Sequence, residues 1–289
     1  MIVKAAKIRD NTFIKEVDSF RDDKMQFHLW WLGQSGYLLM WQGKKILIDP
    51  YLSDSLTVKY AASNKPHVRI SERVVDPWLL KDITLVTSSH NHTDHLDAET
   101  LIPIFKQNPS VTFIIPEANR DFVCERLMIA RTFPVGLSDG ISVAVDEFEI
   151  RGFLAKHNEI ERDAFGNSKF LGYIFKFGEW TIYHSGDTLH FKGMEELLTS
   201  LHIDVALLPV NGNDPRRGVA GNFNSSEAAA LAKNIGARVA IPCHYDMFAF
   251  NSTDPREFEK EALMIKQDYK ILELGGQFSS EYFSENRIC

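Results

Sequence analysis

The chain lacks any apolar run that could cross a bilayer: its longest stretches, such as Val205 to Val210, fall far short of the roughly 20 residues a spanning helix needs. Met1 to Asp10 carries lysines with no apolar segment behind them, so neither a leader nor an anchor is expected there. Positive charge is also scarce. The 32 Lys and Arg stand against 39 Asp and Glu, a net charge of -7, which argues against a surface built to neutralise phosphate backbones. Only three cysteines occur, Cys124, Cys243 and Cys289, with no CxxC pairing. An odd, unpaired set fits a reducing compartment better than a disulfide framework. These absences lead to the expectation of a cytoplasmic protein with a small-molecule substrate and neither nucleic acid nor membrane as partner.

What is present is ample material for a core: 44% of the 289 residues are hydrophobic and 25% charged, close to globular averages. One domain over residues 1–289 is expected, with 1–26 as an N-terminal extension. There Phe13, Ile14, Val17 and Phe20 recur at helical spacing, an amphipathic helix suited to packing or to building a homo-oligomer. From Phe27 the pattern becomes strand-like: Phe27 to Leu32, Tyr37 to Trp41 and Lys45 to Ile48, punctuated by Gly33, Gly36 and Gly43, predict an antiparallel meander. Residues 53–77 show no sustained period and read as a long loop of the kind that forms a lid. Apolar runs then alternate with helical stretches. The clearest helix starts at Asn224, with Glu227 three residues later and Gly236 to close it. A helix after Asp97 must be short or kinked, because Pro103 falls inside it.

The run Ser88-Ser89-His90-Asn91-His92-Thr93-Asp94-His95 follows the apolar strand Ile83 to Thr87 and so lies on a loop at a strand end. A single histidine there would read as a polar surface residue. Three imidazoles and a carboxylate within six residues are different, because their desolvation is offset only by partners, and a tight turn can aim alternate side chains at one or two ions. His157, Asp187 and His244 each also sit just beyond an apolar strand. Together these are nitrogen and oxygen donors, which suit zinc, manganese or iron rather than a closed, sulfur-rich structural site.

The His-x-His-x-Asp-His run, Ser185-Gly186-Asp187-Thr188 and Pro242-Cys243-His244 resemble the motifs of the metallo-β-lactamase superfamily. Trp31-Leu32-Gly33-Gln34-Ser35-Gly36, Tyr183-His184-Ser185-Gly186-Asp187 and His244-Tyr245-Asp246 resemble its ascorbate-6-phosphate lactonase group and relatives. The resemblance covers about Phe27 to Phe278. It implies an α/β fold, the αβ/βα sandwich of two β-sheets flanked by helices, with the site at one edge. Carried over residue by residue, it places His90, His92 and His157 on one ion, Asp94, His95 and His244 on a second, and Asp187 between them. Two zinc ions are the implied cofactors, with manganese or iron as substitutes. Asp49 resembles the family's buried aspartate that supports the ligand loop.

Two cations would lower the pKa of a shared water and polarise the attacked oxygen, so no protein nucleophile is required. The expected activity is metal-dependent hydrolysis by a metal-bound hydroxide, acting on a small anionic ester or lactone. Asp94 is the candidate proton acceptor and His184 a candidate contact to substrate, while Asp246 could orient a ligand imidazole. Asn211, Arg216 and Arg217 are candidate substrate-binding residues, since guanidinium pairs well with phosphate or carboxylate. Two other readings stand beside this one. One is phosphodiester hydrolysis of the ribonuclease Z or phospholipase type; the other is a non-catalytic metal-binding assembly protein. A serine hydrolase fails because Gly33-Gln34-Ser35-Gly36 misses the Gly-x-Ser-x-Gly elbow by one residue.

Overall fold

Helix α1 (Asp10–Ser19) leads into the first sheet and is held against it: Phe13 and Val17 are fully buried, and the Phe13 ring meets Trp30 edge-on at 6.4 Å. Its apolar face is thus used for packing. The computed structural model describes residues 3–214 and 221–285. The meander forms as expected from β1 (Phe27–Gly33), β2 (Gly36–Trp41) and β3 (Lys44–Ile48). These strands are buried on both faces, which is why they read as continuous apolar runs rather than as alternation. Next, the segment 53–77 contains the short helix α2 (Ser55–Lys59).

Pairing becomes parallel from β3 to β4 (Ile83–Thr87), β5 (Thr112–Pro116) and β6 (Pro134–Leu137). Parallel neighbours require crossovers, and α3 (Ala98–Gln107) and α4 (Arg120–Leu127) lie in them. Helix α3 tolerates Pro103 and runs on to Gln107; its start is fixed by the Asp97 carboxylate, which accepts the Thr100 N–H at 3.0 Å.

The second sheet repeats this plan. Strands β7 (Ser142–Val145), β8 (Phe148–Leu154), β9 (Leu171–Phe177) and β10 (Trp180–His184) are antiparallel, and β11 (Val205–Pro209) and β12 (Val239–Cys243) continue in parallel. Between them come α5 (Met194–Thr199) and α6 (Ser225–Asn234), the latter started by the predicted capping box of Asn224 and Glu227. After α7 (Pro255–Met264), β13 (Gln277–Ser279) returns to pair with β1, and α8 (Tyr282–Glu285) follows. The sheets meet face to face, where Phe27 and Trp41 pack on Phe177 at 5.7 and 5.6 Å between ring centres. With helices flanking two mixed sheets, the α/β sandwich is the observed fold. No helix among the described residues is long and apolar enough to cross a membrane.

Strands β3, β4, β8, β10 and β12 all deliver candidate site residues just past their carboxyl ends. The β1–β2 turn meets the same edge.

Candidate metal centre

The ligand loop is built on Asp49, which follows β3 and is fully buried. Its Oδ2 accepts the His95 Nδ1–H at 2.7 Å and also the Ser89 hydroxyl, while its Oδ1 accepts the Thr87 hydroxyl at 3.2 Å. With its O–H donated in that hydrogen bond to Asp49, Ser89 Oγ accepts from His90 Nδ1 at 3.0 Å. These bonds fix the tautomers: with Nδ1 protonated in both rings, the Nε2 lone pairs of His90 and His95 point away from the support. His157 follows the same logic, giving its Nδ1–H to the Gly221 carbonyl at 3.3 Å.

The freed donor atoms converge in two groups, His90, His92 and Asp187, and Asp94, His95 and His244, each with ligand atoms within 4.8 Å of one another. Asp187 stands between them. Its Oδ1 is 3.3 Å from His95 Nε2, and its Oδ2 is 3.5 Å from His244 Nε2 and 4.0 Å from His90 Nε2. The His157 ring lies beside the first group, 4.7 Å from the His92 ring centre. Most telling is what the donors do not bond. His90 Nε2, His95 Nε2 and Asp187 Oδ1 are buried with no well-aligned hydrogen bond, the last two merely facing each other at 3.3 Å, a costly state for a protein to keep. Divalent cations held by the two groups would satisfy these atoms, so the residues fit a metal.

Charge points the same way. Burial alone would raise the Asp94 and Asp187 carboxyls, yet the facing His95 and His244 imidazoles hold both well below the ordinary range. Burial likewise opposes charge on His244, but Asp187 and Asp94 push it up to about 9, and His95 is raised by the same carboxylates. Burial and the neighbouring imidazoles drive His90 the other way. The carboxylates therefore demand positive charge, which protons supply when metal does not.

Chain geometry explains the motif Ser185-Gly186-Asp187. Gly186 has φ +59, and a Cβ there would lie 2.5 Å from the Leu171 carbonyl oxygen and 3.0 Å from Ser89 Cβ, so only glycine lets β10 turn this close to the ligand loop. His184, expected near the substrate, is instead fully enclosed: Nε2 bonds the Ser35 carbonyl at 2.9 Å and Nδ1 accepts the Gly186 N–H at 3.3 Å. The Asp246 carboxylate turns to Lys4 at 2.6 Å rather than to an imidazole. Asn211 does line the cavity at the site, bonded to the amides of Asn251 and Asn222. Arg216 and Arg217 lie outside the described residues.

The cavity holds about 590 Å³ in front of the ligands. Segment 53–77 forms one wall through Lys59, Tyr60, Lys65 and His67, with the His67 ring stacked on Tyr60 at 4.3 Å. Among its described lining residues the only carboxylates are Asp94 and Asp187. Sequence reasoning missed Arg126, whose guanidinium clamps the ligand loop by donating to the Asn91 and Leu96 carbonyls at 2.7 and 3.2 Å. It also missed Ser89, although that residue stands next to His90.

The profile of the β-lactamase superfamily domain matches residues 28–244. The chain belongs to that family. A metal-dependent hydrolase of Pyrococcus furiosus is 36% identical, with 75% of this chain and 84% of the relative covered. A probable L-ascorbate-6-phosphate lactonase of Escherichia coli O127:H6 is 25% identical over 88% of this chain and 80% of its own length. Solved structures share the fold: an isothiocyanate hydrolase from Delia radicum gut bacteria superposes with a TM-score of 0.70 at 20% identity, covering 88% of this chain and all of that one. A possible metal-dependent hydrolase of Veillonella parvula gives a TM-score of 0.69 at 16% identity, covering 87% and 98%. The chain is a metal-dependent hydrolase of that superfamily.

Proposed function

We propose that this metal-dependent hydrolase carries two zinc ions and acts on a small anionic ester or lactone. His90, His92 and His157 would hold one ion and Asp94, His95 and His244 the other, with Asp187 shared. Ions held there supply Lewis acidity and a water of lowered pKa. Asp94 Oδ2, held in place beside the cavity, accepts the proton from the attacking water. Lys59, Lys65 and Arg126 on the cavity wall orient the anionic part of the substrate.

The observation that carries the reading is the set of buried donor atoms without a well-aligned hydrogen bond, beside an open cavity whose other charged side chains among the described residues are cationic. A purely structural site would be closed. Manganese and iron suit the same donors, and metal loading with each separates them.

The test has two parts. Elemental analysis should find about two ions per chain after zinc loading. The loaded protein is then assayed on L-ascorbate 6-phosphate, on a neutral lactone and on bis(p-nitrophenyl) phosphate. Turnover of the anionic lactone, with KM raised in Lys59→Ala and Lys65→Ala, supports the proposal. Preference for the phosphodiester replaces it with the phosphodiesterase reading, and metal uptake with no turnover of any ester class favours an assembly role.

A further inference from the structure

In the β1–β2 turn, Gly33 pairs with Gly36, leaving Gln34 and Ser35 as a two-residue loop. Such turns require a positive φ at their first central residue, where Gly, Asn or Asp is the usual occupant. Gln34 sits there at φ +50 and is fully buried. Its carbonyl accepts the Trp31 indole N–H at 2.9 Å and the His244 backbone N–H at 3.0 Å. Its side chain reaches the second ligand group. Nε2 donates to Asp94 Oδ2 at 2.9 Å and lies 3.5 and 3.4 Å from Nδ1 and Nε2 of His244. Nearly equal distances to the two ring nitrogens place the amide beside the imidazole rather than on one lone pair.

These contacts come at a cost. The left-handed backbone is unfavourable for glutamine, and Gln34 Oε1 is buried with no hydrogen-bond partner. A residue serving the turn alone would be glycine or asparagine, with neither penalty. The return is local to the site: Asp94 and the backbone of His244 are tied to one rigid turn of the first sheet, although Asp94 follows β4 and His244 follows β12.

We propose that Gln34 is a positioning residue for the group Asp94, His95 and His244. It holds Asp94 Oδ2 through its amide N–H and seats His244 through its carbonyl. The inference rests on the metallohydrolase reading and adds to it a residue that governs the second ion selectively.

Two variants test it. Gln34→Met keeps the length of the side chain and removes both amide groups; Gln34→Gly accepts the positive φ and removes the side chain. Metal-free protein is titrated with zinc by calorimetry, and the absorption spectrum of the cobalt form is recorded at each equivalent. The expected result is two equivalents in the wild type. In both variants one equivalent should bind as in the wild type and the other about 10–100-fold more weakly, with an altered cobalt spectrum only at the weakened equivalent. Wild-type affinity at both equivalents in Gln34→Met overturns the proposal, as does equal weakening of both, which would mark a general structural role. A wild type that takes up no metal overturns the metallohydrolase reading and this inference with it, so the wild-type titration tells the two failures apart.

Discussion

Gly221 and His157 interlock: the glycine carbonyl accepts the His157 Nδ1–H at 3.3 Å, and a Cβ on Gly221 would fall on the imidazole itself. With φ +94 the glycine occupies a conformation that other residues rarely adopt. The orientation of a candidate ligand is thereby set by a residue 64 positions away in sequence that has no side chain of its own.

Gly221→Ala should therefore displace both the His157 ring and the His157 backbone carbonyl, which the new Cβ would also meet. The expected outcome is a loss of about 10-fold or more in the affinity for one metal equivalent, with an unchanged far-ultraviolet circular dichroism spectrum. Retention of wild-type metal content and affinity would show that His157 is not oriented by this contact.

Asp49→Ala removes the acceptor of both His95 Nδ1–H and the Ser89 hydroxyl. Leaving such buried donors unpaired costs about 1–3 kcal/mol each, so the metal-free protein should melt at a lower temperature. Zinc affinity should fall about 10–100-fold. Melting curves with and without zinc measure both, and a variant with wild-type values would deny Asp49 its supporting role.

Metal uptake should release protons. In the metal-free protein the His244 imidazole is pushed up to about 9 by Asp187 and Asp94, so it is protonated at neutral pH and must lose that proton to bind a cation. Affinity should accordingly rise with pH until about 9 and flatten beyond it as far as this group is concerned. Calorimetry in buffers of different protonation enthalpy reads the released protons directly; equal affinity at pH 6 and pH 9 would contradict the expected linkage.

At helix α6, Asn224→Ala should cost about 1 kcal/mol, because it deletes the acceptor of the Glu227 N–H at 2.9 Å while Asn224 N–H can still donate to the Glu227 carboxylate. Chemical denaturation should show this loss with metal binding unaffected.

Much of the scaffold was legible because its signals are local. The continuous apolar strands, the capping box at Asn224 and the crowding of histidines from His90 to His95 each lie within a few residues. The structure brings His157, Asp187 and His244 to the same edge as that loop, as strand ends suggested. What escaped depends on distant contacts. Gln34 reads as a turn residue until its amide is seen against Asp94, and Arg126 as an ordinary helical charge until it meets the ligand loop. His184 stands beside the Ser-Gly-Asp motif, yet its two ring nitrogens serve the backbone. Asp246 stands near His244, but a positive φ of +56 accompanies a carboxylate turned to Lys4. Strand β13, with three residues, and β6, with four, are too short to produce a period of their own.

The pairing of β13 with β1 has a consequence for how the chain leaves the ribosome. Strand β1 is synthesised before the segment that covers its outer edge through His28, Leu29 and Trp30, the two lying 249 residues apart at His28 and Gln277. At typical elongation rates the interval is on the order of tens of seconds. Throughout it a hydrophobic strand presents open backbone groups to any passing nascent chain. Strand β13 thus works as a closing zip, and a chain truncated before Gln277 would leave this edge of β1 open to self-association.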